Sequence, residues 1–337
     1  MIYFIGAAIL YAASVCIRTV RNHRSLFSEE RTVYDGRIEN IGSPAVAALD
    51  SNGVILTNLD ALGQRGISGG TTYYPLWIAF AGLYYMRRFY ETGERLRFES
   101  AKKQGDYFVR TQNEGGGWTQ SFDIKNQFNA QGGAGSALVQ ASAISLLCHI
   151  FKENHEEMYV ACANRALQLL LTDVENGGLR SVIAGDRWFY EEAPSIPPSH
   201  ILNGFVYALF ALHDIQQVSP SDLVSKLFHN GVSCLECILN EFDTGFWTRY
   251  SLGPPPNLYN HYNLAAPYYQ KLHHAQLALL YERTGNATFK HYSDTWKAYD
   301  TNFASYVICA SYVVFRDLVD CCTAWKFIKR HVERKSS

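Results

Sequence analysis

Beyond residue 70 the chain runs in long segments whose apolar side chains return every three or four positions, separated by short turns rich in Gly, Asn or Asp. That period marks helices with a buried face, and strand-like alternation is rare. The pattern predicts helices over Tyr74 to Thr92, Glu94 to Gln112, Ala134 to Phe151, Glu156 to Leu171, Ser199 to Gln216, Ser219 to Phe242, Tyr268 to Gly285 and Ala287 to Tyr299. These pair in order into four hairpins.

The connections repeat. Asn113-Glu-Gly-Gly-Gly-Trp118, Val174-Glu-Asn-Gly-Gly-Leu179 and Phe242-Asp-Thr-Gly-Phe-Trp247 each close a helix with a Gly-bearing turn followed by an apolar or aromatic residue. Their first residues lie 61 and 68 positions apart, room for two helices and their loops. Helix pairs of equal length repeated around an axis describe an all-α fold, an incomplete α/α toroid of about four helical hairpins. Glycine supplies the left-handed cap and the aromatic turns back into the core or groove.

Residues 70–337 are therefore expected to form one toroid domain, with residues 1–69 as an N-terminal segment and arm. Arg31 to Leu59, with Pro44 and the turn Asp50-Ser-Asn-Gly53, reads as a small β-hairpin or extended arm, and Arg65 to Gly70 as a loop into the first helix. Ile2 to Ile17 is uncharged and largely apolar, followed by Arg18, Arg21 and Arg24. It falls short of the ~20 residues of a spanning helix and lacks the leading positive charges of a secretory signal. A buried first helix is the preferred reading; a signal or an anchor stays open. An anchor would imply membrane association and a secretory, Golgi-like setting, in which Asn286-Ala-Thr288 is a glycosylation acceptor; otherwise a cytoplasmic one follows. Ser305 to His331 is expected as an apolar C-terminal helix that packs outside the toroid or mediates a homodimer.

Composition narrows the function. At 47% hydrophobic and 18% charged, the 337 residues suffice for a large core. Thirty basic residues against 31 acidic ones leave no global field to attract nucleic acid, so an acidic substrate must be met by local charges. Aromatics at 14%, with 22 Tyr and 6 Trp, suit a carbohydrate groove as well as a core. The eight Cys show no scaffold spacing; Cys234 and Cys237 form a C-x-x-C inside an apolar helical run without a second ligand pair, which reads as two helix cysteines. No nucleotide loop, metal cluster or organic-cofactor motif occurs, so no cofactor is expected.

Chemistry concentrates in Trp188-Phe-Tyr-Glu-Glu-Ala-Pro-Ser-Ile-Pro-Pro-Ser-His-Ile-Leu-Asn-Gly-Phe205. The adjacent carboxylates Glu191 and Glu192 precede a proline-rich stretch that cannot be helical, and aromatic neighbours argue for partial enclosure. This segment resembles the W-Y-E-E-Y-P-x-x-P-S-S-x-x-L-N-G-F signature of the D-glucuronyl C5-epimerase family. Asp243 to Leu258, with Arg249 and Asn257, and Tyr269-x-x-x-His273-x-x-Gln276-Leu277 resemble a second block, and Ser136 to Ser145, with Gln140, a third. The likeness runs colinearly from about residue 70 to 300.

The resemblance implies an isomerase that inverts C5 of D-glucuronate, or a related uronic acid, within an acidic polysaccharide of the heparosan or heparan type. Such a reaction removes a proton α to a carboxylate on one face and returns one on the other, with a cation to balance the developing charge. Within the resemblance, Glu192 matches the acidic residue beside the substrate, Tyr269 the tyrosine with acid/base duty and Arg249 the clamp on the uronate carboxylate, a task suited to its bidentate fork. Glu191 and Tyr190 complete the catalytic candidates. Gln140, Asn203, Trp118, Asn257, His273, Tyr250 and Tyr262 are substrate-binding candidates, and His200 a structural helix-start residue.

Two positions depart from the family. Its second tyrosine after the Glu pair is Ala193 here, and its aromatic hydroxyl three residues before the arginine is Phe246; Tyr190, Tyr250, Tyr262 and Tyr268 are the nearby phenols. The alternatives are a uronate lyase, a toroidal glycoside hydrolase with Asp123 as second carboxylate, and a glycan-binding protein without catalysis, which the two departures favour.

Overall fold

A computed structural model describes residues 47–62, 67–124, 132–183, 185–254 and 263–312. The Ile2 to Ile17 segment, most of the predicted arm, Asn257, Tyr262 and the chain after residue 312 lie outside the described residues.

The repeating period becomes eight helices: α1 (Pro75–Thr92), α2 (Arg95–Thr111), α3 (Ala137–Asn154), α4 (Glu157–Leu171), α5 (Leu202–Val218), α6 (Asp222–Phe242), α7 (Pro267–Thr284) and α8 (Ala287–Thr301). Consecutive helices pack as hairpins, α1 on α2, α3 on α4, α5 on α6 and α7 on α8. The first member of each hairpin also packs on the first member of the next, so α1, α3, α5 and α7 form an inner arc. Their sequences explain that placement. α5 buries 13 of its 17 residues, α8 only four of 15, and a helix apolar all round must lie inside. The result is an open α/α toroid of four hairpins.

All inner helices run in the same direction, because an outer helix intervenes between each pair. The repeated turns set that alternation. Gly116, Gly177 and Gly245 take φ of 81°, 82° and 82°, a region open to glycine without strain. Two residues later Trp118, Leu179 and Trp247 are each almost wholly buried, pinning each turn to the core.

The described part of the arm is a three-stranded antiparallel sheet of β1 (Ala47–Leu49), β2 (Ile55–Asn58) and β3 (Thr71–Thr72). Asp50 Oδ1 accepts from the amides of Asn52 (2.9 Å) and Val54 (2.8 Å), closing the predicted turn. Gln104 of α2 seals it from below, donating to Gly53 O at 2.8 Å and accepting from Ile55 N at 3.1 Å. A second hairpin, β4 (Arg180–Ile183) with β5 (Arg187–Tyr190), lies between α4 and α5 and was not expected from the pattern. The described start of the C-terminal helix, 303–312, turns Tyr306 edge-on to Trp247 at 4.9 Å. Among the described residues no helix is long and apolar enough to cross a membrane.

Three helices begin three residues later than their hydrophobic pattern: α3 at Ala137, α5 at Leu202 and α6 at Asp222. Before α5, Ser199 O and His200 O instead accept from Gly253 N and Leu252 N, an extended pairing that replaces the first helical turn.

At the C-terminal ends of the inner helices lies a buried charge network. Asp214 of α5 accepts from Ser145 Oγ of α3 at 2.7 Å and pairs with Arg283 of α7 at 3.1 Å. Arg283 also donates to Phe210 O and lies over the Phe210 ring. Burial opposes the Asp214 charge, yet hydrogen bonds and the neighbouring cations together hold its pKa below the usual value. Removing one partner of such a pair strands a buried charge. Arg283→Met is expected to lower unfolding stability by about 3–5 kcal/mol, and Asp214→Asn in the same chain to recover much of that loss. Chemical denaturation of the two variants checks this; equal losses would show that the pair contributes nothing specific.

Candidate active site

The opposite, N-terminal ends of α1, α3 and α5 border a cleft of about 70 Å³. Tyr74, Gln120, Ser136, Glu192, Ala193 and Tyr250 are among its lining residues. Tyr74 precedes α1, Ser136 precedes α3, and Glu192 with Ala193 follows β5 on the way to α5.

The two adjacent glutamates are placed differently. Glu191 is fully buried. Its carboxylate accepts from Ser181 Oγ (2.6 Å), Ser199 Oγ (2.7 Å) and the His200 amide (2.8 Å), while its own amide bonds Leu179 O and its carbonyl accepts from Ala137 N. Burial raises its pKa and those hydrogen bonds partly offset the rise. Glu192 reaches the cleft. Its Oε2 accepts from Asn203 Nδ2 at 2.7 Å, and it rests against Gly204, where an added Cβ would overlap its side chain. The Leu-Asn-Gly start of α5 thus has a local reason: asparagine to hold the carboxylate, glycine to let it approach the helix.

Tyr250 stands on the cleft wall with its backbone fixed at both ends. Its amide donates to Asn263 O at 2.8 Å and its carbonyl accepts from Leu202 N at 3.2 Å. Tyr269, in the first turn of α7, packs behind it with ring centroids 4.6 Å apart. Arg249, next to Tyr250, is half-buried, and its backbone pairs with Leu264 and Phe242. Asp243, a conceivable partner for that guanidinium, instead accepts from Trp296 Nε1, Tyr299 OH and Gly245 N.

Deeper in α7, His273 is 1% exposed. Gln270 Nε2 donates to Trp296 O, so its Oε1 accepts from the Thr248 amide and hydroxyl at 2.9 and 2.7 Å. With the Thr248 proton committed to Gln270, the 2.9 Å contact to His273 Nδ1 requires Nδ1 to carry hydrogen. Nε2 then presents a lone pair that has no partner among the described residues. Burial, reinforced by neighbouring His274, pulls the His273 pKa down to about 3, and burial takes His200 to about 4.

Other sequence candidates lie away from the cleft. Tyr190 is fully buried, donates to Leu227 O at 2.9 Å, and burial raises its pKa. Trp118 is in the core with its indole N–H on Phe108 O. Gln140 is buried behind the cleft, donating to Trp118 O. Asp123 is exposed and accepts from Gly132 N. Phe246 packs in a side cluster with Trp247. Sequence reasoning missed Tyr74 and Gln120 on the cleft, as well as the Ser181, Thr248 and Gln270 supports. The polar residues carry a faint signal, being isolated in apolar surroundings; Tyr74, just before Pro75, reads simply as a helix start.

Two outcomes follow from this geometry. A histidine with a depressed folded pKa leaves stability intact above its unfolded value near 6.5 and withdraws it as pH falls, because only the unfolded chain takes up the proton. Glu191, with a raised pKa, works in the opposite sense, so the comparison is with His273→Gln. Wild type is expected to lose about 2 kcal/mol more than this variant between pH 7 and pH 5, measured by denaturant unfolding; parallel profiles would contradict the buried neutral imidazole. Gly204→Ala is expected to lower stability by about 1–3 kcal/mol through overpacking and to displace the Glu192 carboxylate, which a crystal structure of the variant would reveal.

Residues 84–298 match the family model described as D-glucuronyl C5-epimerase C-terminus. A D-glucuronyl C5-epimerase of Caenorhabditis elegans is 33% identical over 173 residues, 45% of this chain and 28% of that protein. An uncharacterized protein of Methanocaldococcus jannaschii is 28% identical over 185 residues, 53% of this chain and 56% of that one. The match therefore spans little more than a quarter of the first relative and just over half of the second. Among solved structures, cellobiose 2-epimerase from Bacillus thermoamylovorans aligns with TM-score 0.48 and 11% identity, covering 66% of this chain and 58% of that one. With the family model spanning most of the toroid, the chain belongs to the D-glucuronyl C5-epimerase C-terminus family.

Proposed function

We propose that this chain is a carbohydrate epimerase that inverts C5 of a uronic acid within a polysaccharide, D-glucuronate to L-iduronate being the reference reaction. The observation that carries the reading is the fixed Glu192 carboxylate in a cleft that Tyr250 also lines, with the Tyr269 phenol packed against Tyr250. Proton exchange at a carbon next to a carboxylate needs a base held in place and a weak acid to return the proton. A carboxylate and a phenol meet that need.

Glu192 is assigned the role of removing or returning the C5 proton, one of the phenols serves the other face, and Arg249 holds the substrate carboxylate and balances enediolate charge. Asn203 orients Glu192. Glu191, Tyr190 and Trp118 take supporting roles, since each has its polar atoms committed inside the protein.

The test is incubation with uronate polysaccharides in deuterated water. Deuterium is expected at C5 without ultraviolet-absorbing unsaturated uronates, and Glu192→Gln is expected to slow its uptake by about 100-fold or more. Unsaturated product would make the chain a lyase, release of reducing ends a hydrolase, and binding without exchange a glycan-binding protein.

A further inference from the structure

We infer that the cleft beside Glu192 is a subsite for the acylamino group of a sugar, so that the uronate in the substrate polymer adjoins an N-acetylated amino sugar. This rests on the reading of the substrate as a uronate polysaccharide and adds to it the chemistry of the neighbouring residue.

Size is the first constraint. An apolar cavity of about 150 Å³ holds a benzene-sized ring, whereas the cleft has about 70 Å³. A sugar ring therefore stays at the mouth, which the partly exposed Ser136, Glu192 and Tyr250 mark, and one of its substituents enters. That substituent has roughly three or four non-hydrogen atoms.

The lining sets its chemistry. Leu76 from the first turn of α1, Leu138 and Val139 from the first turn of α3, and Ile201 just before α5 all line the cleft, and each is 5% exposed or less. Four aliphatic side chains converging from three helix starts favour a methyl group and oppose a charge. A carboxylate or sulfate would lose its water against them and bring a second anion beside Glu192. Ala193, where the family carries a tyrosine, lines the same space with a single methyl and leaves it room.

Among these apolar groups stands one amide. Gln120 lines the cleft, is 7% exposed and makes no side-chain hydrogen bond among the described residues, while its own carbonyl accepts from Gly133 N at 2.8 Å. An enclosed amide without a partner calls for a ligand that supplies one. The Gln120 side chain both donates and accepts. A secondary amide returns both bonds; an ester offers only acceptors and an ammonium only donors. An acetamido group thus meets every demand of the lining: a methyl for the aliphatic floor, a carbonyl and an N–H for Gln120, and no charge.

The test uses one alternating uronate–hexosamine polymer with its amine acetylated, propionylated, sulfated or left free, and a fifth sample with free amine and O-acetyl groups. Calorimetric titration of the full chain is expected to give binding about tenfold or more tighter for the N-acetyl polymer than for the N-sulfo, free-amine or O-acetyl forms. Gln120→Met, which keeps side-chain length, is expected to weaken N-acetyl binding by about tenfold and to leave the free-amine polymer unaffected. Val139→Ala deepens the floor, so the N-propionyl polymer, the weaker ligand for wild type, is expected to bind that variant at least as tightly as the N-acetyl form. Equal binding of the N-acetyl and the N-sulfo or free-amine polymers by wild type overturns the subsite, as does an unchanged preference in Gln120→Met or an unchanged acetyl-over-propionyl ranking in Val139→Ala. O-acetyl polymer binding as tightly as N-acetyl overturns the amide assignment. Deuterium uptake at C5 without any N-acetyl preference overturns the subsite alone, and N-acetyl preference without uptake on any uronan overturns the epimerase reading alone.

Discussion

A carboxylate shut away from water organises the cleft. Glu191 takes hydrogen bonds from Ser181 on β4, from Ser199 and from the His200 amide, while its backbone joins Leu179 and the first residue of α3. One residue thereby ties together the β4–β5 hairpin, the start of α3 and the approach to α5. A buried charge is tolerated only when its acceptors are filled, and losing one donor costs more than an average hydrogen bond. Hence the three segments cannot shift independently. His200 shows the strength of that demand: it holds φ at 47°, an uncommon conformation for a residue with a side chain, in the segment that brings its amide to Glu191. With Glu191 held inward by both chain and side chain, Glu192 is presented to the cleft.

The inner helices carry buried polar groups toward both ends. At the C-terminal end Asp214 is matched by Ser145 and Arg283, a network that fastens α3, α5 and α7 together. Toward the N-terminal end Asn203 Oδ1, His273 Nε2, Gln276 Oε1 and Gln140 Oε1 are buried without a hydrogen-bond partner among the described residues. Every one of these atoms is an acceptor, given the bonds their donor groups make. Groups left unmet in a native interior call for a specific explanation. Two of them adjoin the segment that holds Glu192: Asn203 bonds Glu192, and Gln276 bonds the Asn203 carbonyl at 3.0 Å. The C-terminal end is fastened by its ion pair although Gln216 Oε1 there also lacks a partner among the described residues, while the unmet Asn203 Oδ1 belongs to the amide that holds Glu192.

Much of this was legible in the sequence, though not evenly. Helix number and order follow from a period that packing reinforces, and the three Gly-containing turns mark the hairpins because a left-handed residue leaves few alternatives to glycine. The β4–β5 hairpin escaped because four-residue strands carry too little alternation to register. The late starts of α3 and α5 escaped for another reason: local preference continues the helix backward, and distant partners, Glu191 and the 251–253 segment, overrule it. At the site, Glu192 and Asn203 were found as candidates through their shared segment. The separate fates of Glu191 and Glu192 could not be read from adjacency, since nothing in a Glu-Glu pair tells which side chain turns inward. Trp118 was misleading for a similar reason; an aromatic after a glycine turn suits a groove or a core equally, and only the third dimension decides.

The first turns of the inner helices also shape the electrostatics of the cleft. None of the four is capped by a side chain, nor are outer α2 and α4, whereas outer α6 and α8 are capped by Ser221 and Asn286. Proline begins α1 and α7 and removes one donor from each. In α3 and α5 the first amide is instead taken by a carbonyl of the site, Glu191 O and Tyr250 O. The helix starts thus double as mounts for the cleft segments. Their aligned peptide dipoles also leave partial positive charge facing the mouth, which favours an anion there by roughly 0.3–1 kcal/mol per helix end. Glu192, lying on the first turn of α5 with Asn203 donating to it, is placed to benefit from that field while remaining open to the cleft. A conventional side-chain cap on these helices would have filled the same space and met the same amides, leaving the cleft segments without their anchorage.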